Sequence, residues 1–186
     1  MKRPSLDTYF MTMAYQAATR ATCEEAQVGS VLVSAENHIL ATGYNGTPPG
    51  QPECSGKNSC KLIRNRGTNG VYELCPTIHS ESNLLAQFRA AHNKPLAPTG
   101  ARVYVTTFPC LSCLQQLLAA GVFHVVYGSI NSWREVGLRY AHSMPEVTFQ
   151  AHFSEAIKVQ PSPKQTSGFV RGNPMQTPQE YTYGCL

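Results

Sequence analysis

The chain has 186 residues, 42% of them hydrophobic and 14% charged, and a formal net charge of +4. That length accommodates one α/β domain with a sizeable core and is too short for two full ones. No apolar run approaches the ~18 residues of a membrane span, and so mild a charge with 9% aromatics argues against a basic, base-stacking groove for nucleic acid.

The opening Met1-Lys2-Arg3-Pro4-Ser5-Leu6-Asp7 leads into neither a continuous apolar core nor a small-residue cleavage site, so it does not read as a signal peptide. The expected compartment is the cytoplasm, or the host cytoplasm for a viral chain. Leu6 to Arg20 places Leu6, Tyr9, Phe10, Met13, Ala14 and Ala17 at helical spacing behind Ser5, a candidate N-cap. Val28–Val33 and His38–Tyr44 read as two strands of a hairpin joined by Ala35-Glu36-Asn37. Gly43 to Gly50 then breaks the sheet with a Gly/Pro-rich loop.

Gln51 to Pro76 shows no sustained periodicity and carries three cysteines with Lys57, Lys61, Arg64 and Arg66. An irregular stretch of that length within a compact domain is functional or metal-stapled, or else a solvated surface loop. A helix follows over Ile78–His92, with Thr77 as a plausible cap and Asn93-Lys94-Pro95 as its stop. Ala101–Thr107 is a strand continuous in β-formers, Cys110–Ala120 a helix headed by Pro109 and stopped by Gly121, and Val122–Tyr127 another strand. Ser132–Met144 reads as a helix and Val147–Phe153 as the last strand. This alternation predicts an α/β fold, a mixed sheet with helices on its faces. Residues 1–157 form the expected domain, with 51–76 as a Cys-rich insertion, and Lys158–Leu186 an extended Pro/Gly/Ser-rich tail.

The chemistry concentrates in Thr77-Ile78-His79-Ser80-Glu81 and Phe108-Pro109-Cys110-Leu111-Ser112-Cys113. One imidazole and two thiolates suit the borderline character of Zn²⁺ and leave its fourth tetrahedral position open for water. Glu81 stands two residues from the histidine, near enough to move protons without being a ligand. A lone C-x-x-C is as often a redox pair or half a structural zinc site, and a lone H-x-E means little. In this order, each at a helix start, they resemble the signature of zinc nucleobase deaminases. The helix starts also favour the thiolate forms of Cys110 and Cys113. His38, His92, His124, His142 and His152 lack partners at metal spacing and read as surface or satisfied core histidines.

Of the other cysteines, Cys23, Cys54, Cys60 and Cys75 make up the number that a closed Cys₄ structural zinc site needs. The bland alternative is four inert thiols packing as small hydrophobes, and Cys185 is a spare under either reading.

The chain resembles the deoxycytidylate deaminases of the cytidine deaminase superfamily from about Leu6 to Phe153. The landmarks are Tyr9-Phe10-Met11, Thr22-Cys23, Val28-Gly29, Gly43-Tyr44-Asn45-Gly46, the cysteine-bearing insertion, His79-x-Glu81-x-Asn83, Tyr104-Val105-Thr106, Pro109-Cys110-x-x-Cys113 and Gly121-Val122. The resemblance implies a three-layer α-β-α fold with a mixed five-stranded sheet. It implies a catalytic zinc on His79, Cys110 and Cys113, Glu81 as proton shuttle, and Asn45 on the deoxyribose hydroxyl. Cys23 and Cys54 match positions that hold a second, structural zinc in some members, with Cys60 and Cys75 for its remaining ligands. It further implies conversion of dCMP to dUMP for thymidylate synthesis, a homohexamer, and dCTP with Mg²⁺ and dTTP as effectors. Deamination of dCTP or free (deoxy)cytidine is the alternative activity, and a non-catalytic zinc module the alternative class.

The chain departs from the family pattern at Ser80 and Ser82, where members read His-Ala-Glu-Leu-Asn. It also lacks their Asp/Lys-Tyr pair near Ser129–Trp133, which leaves Trp133 or Tyr127 to meet the base. For the substrate phosphate, Arg20 is the first candidate and the Lys57–Arg66 cluster the second.

Overall fold

The computed structural model describes residues 3–23, 26–54, 76–130, 142–143 and 147–152. Helix α1 (Leu6–Ala18) begins where the Ser5 side chain accepts the Thr8 backbone N–H at 3.1 Å, the cap expected from sequence. Strands β1 (Gly29–Val33) and β2 (Ile39–Tyr44) form the antiparallel hairpin, turning through Asn37 at φ 69°. Helix α2 (Ser80–His92), strand β3 (Arg102–Thr107), helix α3 (Leu111–Ala119), strand β4 (His124–Ser129) and strand β5 (Thr148–Ala151) follow. The sheet order is β2-β1-β3-β4-β5, antiparallel from β2 to β3 and parallel from β3 to β5. The expected mixed five-stranded sheet is the one observed.

Strand periodicity sorts the core into two layers. Val31, Val33, Tyr104 and Val126 point to one face, where Phe10, Met11 and Ala14 of α1 cover them. Leu32, Val103, Val105 and Val125 point to the other, beneath Leu84, Leu85 and Phe88 of α2 and Leu114 and Leu117 of α3. This is the three-layer α-β-α arrangement. β1 is buried along its whole length, so its sequence is continuous in small and apolar residues instead of alternating. Asp7 in the first turn of α1 locks one layer to the sheet. Its Oδ1 accepts from the Tyr104 hydroxyl at 2.7 Å and its Oδ2 from Gln150 Nε2 at 3.1 Å. Burial, then the bond to Asp7, pushes the Tyr104 phenol well above its ordinary pKa.

Two helix starts differ from the sequence expectation. Thr77 does not cap α2; the N-cap is His79, because Ile78 and Gly46 exchange backbone hydrogen bonds of 2.9 and 3.1 Å that hold the chain extended until then. Pro109 is not the first helical residue of α3, since Cys110 is itself the extended N-cap at ψ 164°. The stops are as expected: Asn93 adopts the left-handed conformation at φ 50°, and Gly121 follows α3 at φ 83°. The predicted helix 132–144 lies outside the described residues apart from 142 and 143, and the tail 158–186 lies wholly outside them.

Two glycines let helices approach the sheet closely. A Cβ on Gly29 would lie 2.2 Å from the Ala14 carbonyl oxygen of α1, and one on Gly43 would lie 2.1 Å from the Ser80 carbonyl oxygen of α2. Backbone cannot yield as a flexible side chain does, so either methyl must push its helix away. Gly43→Ala should therefore cost about 1–3 kcal/mol of stability through overpacking. Gly46→Ala, whose Cβ would come no nearer than 3.4 Å to a neighbour, serves as the control. Urea unfolding of both variants checks this, and equal midpoints would show that α2 is not held by that contact.

Candidate metal centre

The edges of secondary structure bring the donors together. His79 is the N-cap of α2, Cys110 the N-cap of α3, and Cys113 lies one turn into α3. His79 Nδ1 lies 3.5 Å from Cys110 Sγ and 3.4 Å from Cys113 Sγ, and all three donor atoms fall within 4.8 Å of one another. Zinc bonds of ~2.0 Å to nitrogen and ~2.3 Å to sulfur span about 3.5 Å across a tetrahedral angle. Spacing and donor chemistry both fit zinc, and this is the one such group among the described residues.

Electrostatics prepare the sulfurs unequally. Cys110 is pulled far below the usual thiol range because Cys113 donates to it, with the His79 ring adding a second favourable contact. Cys113 is pushed up by donating that proton, by burial and by the Glu81 charge. A cation that takes both sulfurs as thiolates must displace any proton they hold.

Glu81 follows in the first turn of α2, 1% exposed. Its Oε2 accepts from the Ser80 hydroxyl at 3.0 Å, while Oε1 is buried with no partner among the described residues. A buried carboxylate oxygen left unpaired is costly, and this one lies in the first turn of the helix that starts on His79. Asn45, 3% exposed in the loop after β2, donates from Nδ2 to the Ala26 carbonyl at 2.7 Å and accepts the Ser80 N–H at Oδ1, 2.8 Å away. The His79 side chain does not cap its own helix, so Asn45 does this from outside.

Cys23 and Cys54 also come together, as partners in an isolated parallel β-bridge, and neither is in a disulfide. Cys54 Sγ sits 3.7 Å from Thr77 Oγ1, beside the stretch that carries His79. Cys60, Cys75, Lys57, Lys61, Arg64, Arg66, Trp133 and Cys185 lie outside the described residues. Arg20 is exposed in the turn after α1, and Tyr127 packs edge-on against Phe108 with centroids 5.0 Å apart.

Three supporting residues had no role assigned from sequence. Asn83 Nδ2 donates to the Tyr44 carbonyl at 2.9 Å and ties α2 to the end of β2. Ser82 donates to Gln116 Oε1 at 3.0 Å, and its oxygen is 3.9 Å from Cys113 Sγ, joining α2 to α3 beside the donors. Gln116 follows Cys113 by three residues, a helical neighbour spacing that could have flagged it.

A family model described as the cytidine and deoxycytidylate deaminase zinc-binding region matches residues 4–129. The deoxycytidylate deaminase of Schizosaccharomyces pombe is 37% identical over 126 residues, which cover 67% of this chain and only 37% of that protein. The deoxycytidylate deaminase of Mycobacterium phage D29 is 35% identical over 133 residues, covering 68% of this chain and 97% of that one. A crystal structure of dCMP deaminase from cyanophage S-TIM5, in complex with dCMP and dUMP, shares the fold with a TM-score of 0.62 at 23% identity, covering 82% of this chain and all of that one. The matched region takes in both helix starts that carry the donor atoms, and the chain belongs to the cytidine and deoxycytidylate deaminase zinc-binding family.

Proposed function

We propose that the protein hydrolyses dCMP to dUMP and ammonia, supplying dUMP for thymidylate synthesis. The observation that carries this reading is a buried glutamate, with one unpartnered oxygen, next to a His/Cys/Cys group of zinc spacing. The names of the S. pombe and phage D29 relatives support the choice of substrate.

In this reading His79 Nδ1, Cys110 Sγ and Cys113 Sγ hold zinc, which when bound supplies Lewis acidity and a water-derived nucleophile at neutral pH. Glu81 Oε1 takes a proton from the water that attacks the amine-bearing ring carbon and passes it to the adjacent ring nitrogen. It then helps protonate the departing amine, so that water and dCMP become dUMP and ammonia with protons balanced. Burial keeps bulk water from this relay. The Asn45 amide retains one Nδ2 hydrogen and one Oδ1 lone pair beyond its two structural bonds, enough to meet the sugar hydroxyl. Arg20, or a residue of the Lys57–Arg66 cluster, meets the phosphate.

A second, structural zinc on Cys23, Cys54, Cys60 and Cys75 staples the insertion, supported by the bridge that sets Cys23 beside Cys54. The organisation is a domain over 1–157 with a tail over 158–186, acting in the cytoplasm (the host cytoplasm for a viral chain) as a homohexamer. Its effectors are dCTP with Mg²⁺, and dTTP.

Glu81→Gln should retain zinc, since no ligand is touched, and lose about 10²–10⁴-fold in kcat, because an amide cannot relay a proton. Metal analysis beside ammonia release tests this, and substantial turnover by zinc-replete Glu81→Gln would remove the mechanism.

Zinc analysis of the unaltered protein should give two ions per chain, and Cys54→Ser should lose one and lower the melting temperature, because structural metal binding is folding free energy. A single zinc in the unaltered protein would leave the cysteine-bearing insertion without a staple.

Phosphate recognition makes a third expectation. Removing the charge at Arg20 or across the Lys57–Arg66 cluster should raise KM for dCMP and cut kcat/KM by about 10–100-fold, as losing a charge-assisted bond worth ~1.5–3 kcal/mol implies, with cytidine little changed. Equal efficiency on dCMP and cytidine throughout would instead favour a nucleoside deaminase.

A further inference from the structure

Beyond the donor atoms and Glu81, we infer that Ser80 is a positioning residue: its hydroxyl fixes Glu81 Oε2 so that Oε1 is the oxygen presented for proton transfer. The inference rests on the reading of Glu81 as the proton relay and deepens it.

A carboxylate turns readily about its terminal torsion, which exchanges the two oxygens. Fixing it needs a donor on one oxygen only. Ser80 Oγ supplies that donor at 3.0 Å to Oε2, and no other partner of the Glu81 side chain appears among the described residues. Ser80 is itself immobilised. It is fully buried, its N–H is held by Asn45 Oδ1 at 2.8 Å, and Asn45 is anchored in turn on the Ala26 carbonyl at 2.7 Å. The chain of contacts runs from backbone through amide and hydroxyl to one carboxylate oxygen.

The hydroxyl has a single hydrogen, so giving it to Oε2 leaves none for a metal ligand or the substrate. Ser80 therefore donates to neither of them, and among the described residues the one side-chain hydrogen bond it makes is with Glu81. The peptide carbonyl of the same residue is pressed against Gly43, where an added Cβ would come within 2.1 Å, which leaves its backbone little room to shift. The hydroxyl's aim is set by the fold rather than by the ligand.

The test compares unaltered protein, Ser80→Ala and Ser80→Thr, each with and without Glu81→Gln, using dCMP, dCTP and cytidine as probes. Ser80→Ala takes the donor from a buried Oε2 and so should lower the melting temperature by a few degrees. It should nonetheless keep its zinc, stay folded at the assay temperature, leave KM for the preferred substrate within about two-fold, and lower kcat about ten-fold, or ~1.4 kcal/mol. Ser80→Thr, which retains a hydroxyl, should recover most of that loss. In the Glu81→Gln background Ser80→Ala should cost nothing further, because residues acting as one unit are non-additive. An unchanged kcat in Ser80→Ala, a loss that tracks lost zinc or folding, or a full further loss on top of Glu81→Gln would each overturn the inference. If the unaltered, zinc-loaded protein releases ammonia from none of the three probes, the reading of the site as a cytosine nucleotide deaminase fails instead.

Discussion

The buried amide of Asn45 is the joint on which the His79, Cys110 and Cys113 cluster depends. One end of it grips the Ala26 carbonyl just before β1, and the other holds the Ser80 N–H in the first turn of α2. The backbone of the same residue is also engaged, its N–H donating to Val28 O at 3.0 Å and its carbonyl accepting from Thr22 N at 3.0 Å. A helix start has unsatisfied N–H groups that must find partners. Here the partner comes from the loop after β2, because His79 has its side chain turned to the sulfurs. The helix therefore keeps its cap while the His79 ring stays with the sulfurs.

The same economy governs α3. Cys110 occupies the N-cap without capping through its side chain, which leaves the sulfur for the donor group. Two helix N-termini thus open towards one cluster, and their partial positive charge adds to the pull on the Cys110 thiol. The close packing at Gly43 and the Asn83 bond to Tyr44 keep α2 against β2, while the Ser82–Gln116 bond keeps α2 against α3. Donor spacing near 3.5 Å is consequently a property of the scaffold.

Much of this was legible in the amino-acid order, for physical reasons that differ by element. The strands and the two faces of the sheet follow from apolar runs and period-two burial, and Ser5, Asn93 and Gly121 mark helix ends by their own conformational preferences. His79, Cys110 and Cys113, singled out by H-x-E and P-C-x-x-C, do come together where two helices begin. The start of α3 lies one residue later than expected and that of α2 two, the latter because tertiary contact overrode local preference. Thr77 is a good cap in isolation, yet the Gly46–Ile78 bridge keeps that stretch extended. Nothing local revealed that Asn45 would cap α2 across 35 residues of sequence, since that bond exists only once the sheet and helix are assembled.

The serines around Glu81 illustrate how a small polar substitution can be absorbed in a dry site. A hydroxyl buried without a partner costs stability, so Ser80 survives at zero exposure only because Glu81 Oε2 and Asn45 Oδ1 take its two hydrogens. Ser82 meets the same requirement through Gln116. Each hydroxyl is satisfied by a neighbour on the scaffold, so polarity enters the wall of the site without competing for the donor atoms. Oε1 of Glu81, by contrast, is the one buried polar atom beside the donor group without a hydrogen-bond partner among the described residues.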